Sequence, residues 1–272
     1  MTRAPGPAER GDATATGSPA EHARAASPKD RFVTVYGRQP VHEALANPAV
    51  TVDKVLLAQS ARGSHVSALL AAAAARGVPV VRVSTERVKK IAGNGKQDQG
   101  VCADVLAPRM RALDAALTEG LHGPVLVLDG VTTPANVGMI LRTATAAGFA
   151  GVVVPRRGVA SLDPLVVKAS AGIAFVAPIL RCPTAAQAVD ALTSSGYRVA
   201  GLAADAPESL FDTYLPDDTA YVLGGETDGV GDQVRAGVHT WLRVPLATGV
   251  ESLNVSAAAA VVCFEVVRRR LA

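Results

Sequence analysis

The sequence predicts an α/β protein built on a mostly parallel sheet, with a smaller α/β unit ahead of a larger one. Short apolar runs such as Val125-Leu126-Val127-Leu128 lack polar alternation, as expected of strands covered on both faces. Helix-like segments between them open at Ser, Thr or Pro and stop at Gly, as at Pro134 and Gly148. Strand and helix patterns alternate from residue 31 onward, the mark of βαβ units.

Residues 1–30 are rich in Ala, Pro, Gly, Ser and Thr without apolar periodicity, and are predicted to be a disordered tail. Residues 31–107 read as the first unit. Val41–Leu45 is part of a short helix, Lys54–Leu57 a strand, Val66–Arg76 a helix and Val78–Val83 a strand. Ser84–Ile91 is a helix opened by a Ser/Thr cap, and Val101–Leu106 is a strand. Residues 108–123 are predicted to be a helix-bearing linker, and residues 124–272 the second unit. Its strands are Val125–Leu128, Val152–Val154, Val176–Leu180, Arg198–Ala203, Tyr221–Leu223 and Leu242–Pro245. Its helices are Asn136–Ala147, Leu165–Ser170, Thr184–Ser195 and a long closing one over Asn254–Arg270. Ligands of such sheets sit beyond the carboxyl ends of the strands, so the loops after Leu128, Leu223 and Pro245 are where chemistry is expected.

Composition narrows the class. The chain has 272 residues, 49% hydrophobic and 19% charged, too apolar for a wholly disordered protein. No apolar run is longer than Ala257–Phe264, far below the roughly 20 residues of a membrane span. No apolar h-region follows the N-terminus, so no secretory signal is expected. Three scattered cysteines (Cys102, Cys182, Cys263) make no disulfide framework and suit a reducing, cytoplasmic compartment. The histidines show no metal-ligand spacing, and no metal is expected. Charge is uneven: residues 31–107 hold ten basic and five acidic residues, residues 108–272 thirteen and fifteen. A basic segment beside a near-neutral one fits an anion-docking module joined to a working domain, or simply a basic solvated face. Candidate phosphate contacts are Arg31, Arg38, Arg62, Arg82, Arg87, Lys89, Lys90 and Lys96, the last in a Gly93-Asn94-Gly95-Lys96 loop. With 4% aromatic residues, shape and backbone contacts should outweigh base stacking.

Three constellations occupy the expected loops. In Asn136-Val-Gly138-Met-Ile-Leu-Arg142-Thr-Ala144, Asn136 is able to cap a helix, Gly138 admits a close neighbour, and Arg142 offers a planar fork suited to phosphate. An ordinary cap, a packing glycine and a surface arginine explain the same residues. Gly224-Gly225-Glu226-Thr227-Asp228-Gly229 exposes backbone polar groups after a strand, with a plain turn as the alternative. Neither a Walker lysine nor G-x-G-x-x-G occurs in the chain. In Pro245-Leu246 and Glu251-Ser252-Leu253-Asn254-Val255-Ser256, polar groups gather at a helix start, as a polar-ligand site or as plain capping.

Together, and in this order, the three resemble the signature motifs of the SpoU (TrmH) group of the SPOUT superfamily of RNA methyltransferases, over about residues 124–270. Tyr36-Gly37-Arg38 and Gln99-Gly100-Val101 resemble that family's L30e-like substrate-binding domain. The two-domain layout is most similar to 23S rRNA ribose methyltransferases of the RlmB and thiostrepton-resistance types.

The resemblance implies a C-terminal trefoil-knot domain, a homodimer with active sites near its interface, and methylation of a ribose 2′-hydroxyl in RNA by S-adenosyl-L-methionine. It places Gly224, Gly225, Glu226, Leu246, Ser252, Leu253, Asn254 and Ser256 around the cofactor. It matches Arg142 to the family's essential arginine, often assigned to deprotonate the hydroxyl, with Asn136, Glu226, Ser252 and Asn254 in support. A guanidinium pKa above about 12 makes a literal arginine base costly, so Arg142 is expected mainly to clamp the adjacent phosphate. Thr227-Asp228 departs from the small or basic residues often found there. An acid at that position would either repel RNA or hold the cofactor ammonium. A tRNA substrate, a non-catalytic RNA-binding or ribosome-assembly role, and antibiotic self-resistance against housekeeping modification stay open at this level.

Overall fold

The computed structural model describes residues 31–92 and 98–271; the tail at 1–30 and the loop carrying Lys96 lie outside the described residues. The first unit is a four-stranded sheet of β1 (Phe32–Tyr36), β2 (Val52–Ala58), β3 (Val80–Val83) and β4 (Val101–Leu106), in the order β1-β4-β2-β3. β4 runs antiparallel to both neighbours, and β2 pairs β3 in parallel. Helices α1 (Arg38–Ala46), α2 (Ser64–Ala75) and α3 (Thr85–Ala92) flank it. The Ser/Thr cap anticipated for α3 is made: the Arg87 amide donates to Ser84 Oγ at 3.2 Å. β1 was not anticipated. It alternates buried Val33 and Val35 with half-buried Phe32 and Thr34, a five-residue signal for one covered face.

The second sheet has eight strands, all paired in parallel: β5 (Arg111–Ala112), β6 (Val125–Leu128), β7 (Gly151–Val153), β8 (Ile179–Arg181), β9 (Arg198–Leu202), β10 (Glu208–Ser209), β11 (Thr219–Leu223) and β12 (Thr240–Arg243). Their order is β10-β12-β9-β11-β6-β7-β8-β5. Alternation survives inside the apolar runs. Leu126 and Leu128 join the core on one face, while Val125 and Val127 join the core on the other. Both faces are buried, which is why β6 reads as one uninterrupted run. Helices α4 (Leu113–Thr118), α5 (Pro134–Ala146), α6 (Pro164–Ala169), α7 (Ala185–Ser194), α8 (Asp232–Arg235) and α9 (Val255–Leu271) cover the sheet.

Three local expectations are corrected. The strand placed at Val176–Leu180 begins only at Ile179. A 3₁₀ turn over Ile173–Phe175 precedes it, and the amides of Val176 and Ala177 bond back to the Ile173 carbonyl. Asn136 does not cap α5: Thr133 holds the N-cap position, and Asn136 is the third helical residue. The segment 108–123 holds the predicted helix as α4 but also supplies β5, the edge strand beside β8.

All three cysteines are buried and unpaired, and burial pushes the thiols of Cys102 and Cys263 up to about 12 and that of Cys182 to about 11. On α9, buried Glu265 accepts from Arg268 Nε and Nη2 at 2.8 and 2.9 Å and from Arg269 Nε at 2.6 Å. Arg268 foremost, then Arg269, holds the carboxyl down at about 2 against its desolvation. Arg269 also donates to the carbonyls of Leu210 and Thr213, fastening the loop after β10 to α9. No described helix is long and apolar enough to cross a membrane.

Candidate active site

The ends of β9, β11 and β12 converge on a cavity of about 420 Å³. Apolar walls come from Leu202, Leu223, Val244, Leu246, Leu253 and Ala258, and polar groups from Gly224-Gly225-Glu226, Ser252 and Asn254. The glycines are dictated by close backbone approach. A Cβ on Gly225 would lie 2.5 Å from the Gly130 carbonyl oxygen, and one on Gly224 would collide with the Gly229 backbone. Gly225 and Gly229 exchange two 3.0 Å backbone bonds, closing Glu226-Thr227-Asp228 into a tight turn. Asp129, at the end of β6, pins its far side by accepting from the Gly231 amide at 2.8 Å. Gly138 serves helix packing: a Cβ there would sit 2.6 Å from the Val166 carbonyl oxygen on α6.

At the mouth of the cavity three residues from three distant segments form one network. Asn136 Nδ2 donates to Glu226 Oε1 at 2.9 Å. Asn254 Nδ2 donates to the same oxygen at 2.6 Å and to Asn136 Oδ1 at 3.2 Å. Asn254 Oδ1 meanwhile caps α9, accepting from the Ser256 amide at 2.9 Å and the Ser256 hydroxyl at 2.6 Å. Capping and site-building are therefore one residue's two ends. Asn136 is buried, so its amide needs these partners. Glu226 is exposed, and among the described residues its Oε2 has no protein partner.

Gly224, Gly225, Glu226, Leu246, Ser252, Leu253 and Asn254 all line the expected cavity, and Ser256 stands behind Asn254. Arg142 does not line it. The arginine is six residues past Asn136 on α5, on another face, exposed and without a protein partner among the described residues. Sequence reasoning missed Leu202, Ala203 and Ala204, although the strand-end rule already covered the loop after β9. A second cavity of about 370 Å³ adjoins the first across Gly225, Glu226, Gly229 and Val255, and includes Thr132, Thr133, Asn136 and Asp228.

The basic candidates divide. Arg62 and Arg82 stand near the end of β2, each donating through one Nη1 to the Ala61 carbonyl. Arg38 opens α1 beside them, its amide bonded to Gln99 Oε1 at 3.1 Å. Arg87 lines a cleft between the small sheet and residues 155–163, where Tyr36 donates its hydroxyl to Asp163 at 3.3 Å. Lys89 and Lys90 are exposed in the last turn of α3, and Arg31 is exposed before β1. Among the described residues no group of three or more His, Cys, Asp or Glu could hold a metal ion.

Residues 123–264 match the model of the SpoU rRNA methylase family, and residues 34–111 match that of the RNA 2′-O ribose methyltransferase substrate-binding domain. A 23S rRNA (guanosine-2′-O-)-methyltransferase RlmB from a Burkholderia species is 36% identical over 243 residues, covering 89% of this chain and 98% of that one. Its namesake from Xanthomonas campestris is 34% identical over 241 residues, covering 87% and 96%. In fold the chain is similar to the SpoU methyltransferase AviRb from Streptomyces viridochromogenes, solved in complex with AdoMet, with a TM-score of 0.59 at 24% identity over 94% and 95% of the two chains. With a glycine turn, an Asn–Glu–Asn network and a capped closing helix in the order of the three motifs, the chain belongs to the SpoU rRNA methylase family.

Proposed function

We propose that this protein transfers the methyl group of S-adenosylmethionine to a ribose 2′-hydroxyl of RNA, with 23S rRNA, the substrate in its relatives' names, as acceptor. The observation that carries the reading is the cavity at the ends of β9, β11 and β12 with the Asn136–Glu226–Asn254 network at its mouth. The residues present fit that cofactor. The volume falls in the range of small-molecule sites, with apolar walls for the adenosyl group and a carboxylate beside it for a cationic centre. When bound, the cofactor supplies an already activated methyl group.

The chain's own task is then alignment and charge. Asn136 and Asn254 fix one oxygen of Glu226, leaving the other for the ligands, and holding reactants in line contributes up to roughly 7–11 kcal/mol. Arg142, without a protein partner among the described residues, clamps an RNA phosphate and stabilises the alkoxide as the hydroxyl proton leaves to phosphate or water. A homodimer completes the site. Met139, three residues before Arg142 on α5, and Phe264 on α9 are exposed, and a second copy covers them. Residues 31–107 act as an L30e-like RNA-binding domain joined by 108–123 to a catalytic domain at 124–272. Arg38, Arg62, Arg87, Lys89, Lys90 and Lys96 supply its phosphate contacts, and the enzyme works in the cytoplasm. The family's trefoil knot is assigned to the stretch from β11 to α9, supported by β12 pairing with β9 and by Asn254 bonding back to Glu226 after β11.

Isothermal titration with S-adenosylmethionine tests the cofactor, and mass-spectrometric mapping of ribose methylation tests the acceptor. Arg142→Ala and Arg142→Lys should both lose nearly all methylation while binding the cofactor normally. A wild-type rate in Arg142→Lys would exclude the bidentate clamp.

A further inference from the structure

The second cavity has a composition that an RNA-binding surface does not need. It carries two carboxylates, Glu226 and Asp228, and among the described residues no Lys, Arg or His lines it. Such a place repels phosphate and favours hydrogen-bond donors. Glu226 already has one oxygen committed to Asn136 and Asn254. Asp228, exposed at the tip of the Gly225–Gly229 turn, has both oxygens uncommitted among the described residues. Thr132 and Thr133 also line the cavity, and Thr133, though at the N-cap position of α5, makes no capping bond, so its hydroxyl is available. The turn that presents Asp228 is held by two backbone bonds and by Asp129, so the carboxylate is offered from a fixed support.

We infer that this cavity receives the base of the acceptor nucleotide and that Asp228 is its specificity residue, selecting guanine. The inference rests on the function proposed above; guanosine is the acceptor in the relatives' names, and what is added is the residue that reads its base. A carboxylate accepts at two oxygens, and guanine presents two adjacent donors, N1–H and N2–H, beside an O6 acceptor that a threonine hydroxyl satisfies. Adenine turns an unprotonated N1 to the same carboxylate, and uracil and cytosine each lack the paired donors. Sharing Glu226 with the cofactor cavity places a ribose attached to such a base next to the network that aligns the reaction.

The test uses the full chain, an unmodified 23S rRNA transcript and S-adenosylmethionine labelled in its methyl group. Wild-type protein should yield 2′-O-methylguanosine. Asp228→Asn should lose about 10- to 100-fold in kcat/KM for RNA, the range of one bidentate base contact, with cofactor affinity within twofold of wild type and an unchanged melting curve. Inosine at the mapped target, which lacks the N2 amine, should slow the wild type and leave Asp228→Asn indifferent, a pattern that a merely structural role cannot produce. A methylated nucleoside other than guanosine, or an Asp228→Asn enzyme of wild-type rate, overturns the inference while leaving the methyltransferase reading intact. Cofactor affinity falling in step with rate also overturns it, assigning the carboxylate to the cofactor ammonium. A wild-type protein that binds no S-adenosylmethionine and methylates no RNA sinks both.

Discussion

The two sheets handle close approach and charge in opposite ways. In the eight-stranded sheet every pair is parallel, both faces are buried, and the turn at the end of β11 is packed backbone to backbone, so that Gly224 and Gly225 have no room for a methyl group. On its closing helix charges are tied down, as at Glu265 between Arg268 and Arg269. In the four-stranded sheet a parallel pair sits beside two antiparallel ones, β3 is largely exposed, and Arg87, Lys89 and Lys90 stand in solvent. A small reactive donor requires fixed geometry, whereas a large polyanion is better met by loosely held cations that adapt to its shape.

That contrast puts the largest expected effect at the turn at the end of β11. Gly225→Val forces the side chain into the Gly130 carbonyl. S-adenosylmethionine binding should fall by at least about 100-fold in calorimetry, with a loss of stability of roughly 1–3 kcal/mol, while affinity for RNA through the small sheet survives. Wild-type cofactor affinity in this variant would mean the turn is not a rigid wall.

The buried charge cluster gives a middle-sized effect with a definite sign. Glu265 sits at about 2 in the folded chain against an ordinary 4.5, so its contribution is complete above about pH 4.5 and fades as pH falls through 2. That contribution is on the order of 2–3 kcal/mol at neutral pH, and Glu265→Gln should lose it. Urea unfolding should show the gap between variant and wild type roughly halved at pH 3. A gap that does not change with pH would assign the loss to packing instead.

The smallest effects belong to the exposed cations. Arg62→Ala and Lys89→Ala should each weaken RNA binding by up to about 10-fold, lower the salt slope by about one, and leave cofactor binding unchanged. A change in cofactor affinity would merge the two regions that the comparison separates.

Much of this was legible in the residues, for identifiable reasons. Runs buried on both faces, such as Val125–Leu128, and helices with side-chain caps, such as that at Thr184, carry their own signals. β5 and β10 did not, because two-residue edge strands are too short for periodicity. Val176 looked like strand because β-branched residues favour strands, yet Gly172 in a left-handed conformation had already started a turn. The site residues on glycine turns were readable because backbone crowding permits only glycine there. Leu202 to Ala204 were not, since apolar side chains at a strand end look the same whether they face a core or a ligand. Asn136 was readable as polar and close to a helix start, but its partner 90 residues away is a fact of tertiary structure.

Because Arg111 and Ala112 already belong to the large sheet's outer edge, only residues 107–110 separate the last strand of the small sheet from the large one. Fully drawn out, four residues span only about 14 Å, and Ala107 and Met110 are themselves buried. The two sheets are therefore held a short distance apart, and under the proposed function an RNA docked on the smaller one must bring its target ribose across that distance to the larger.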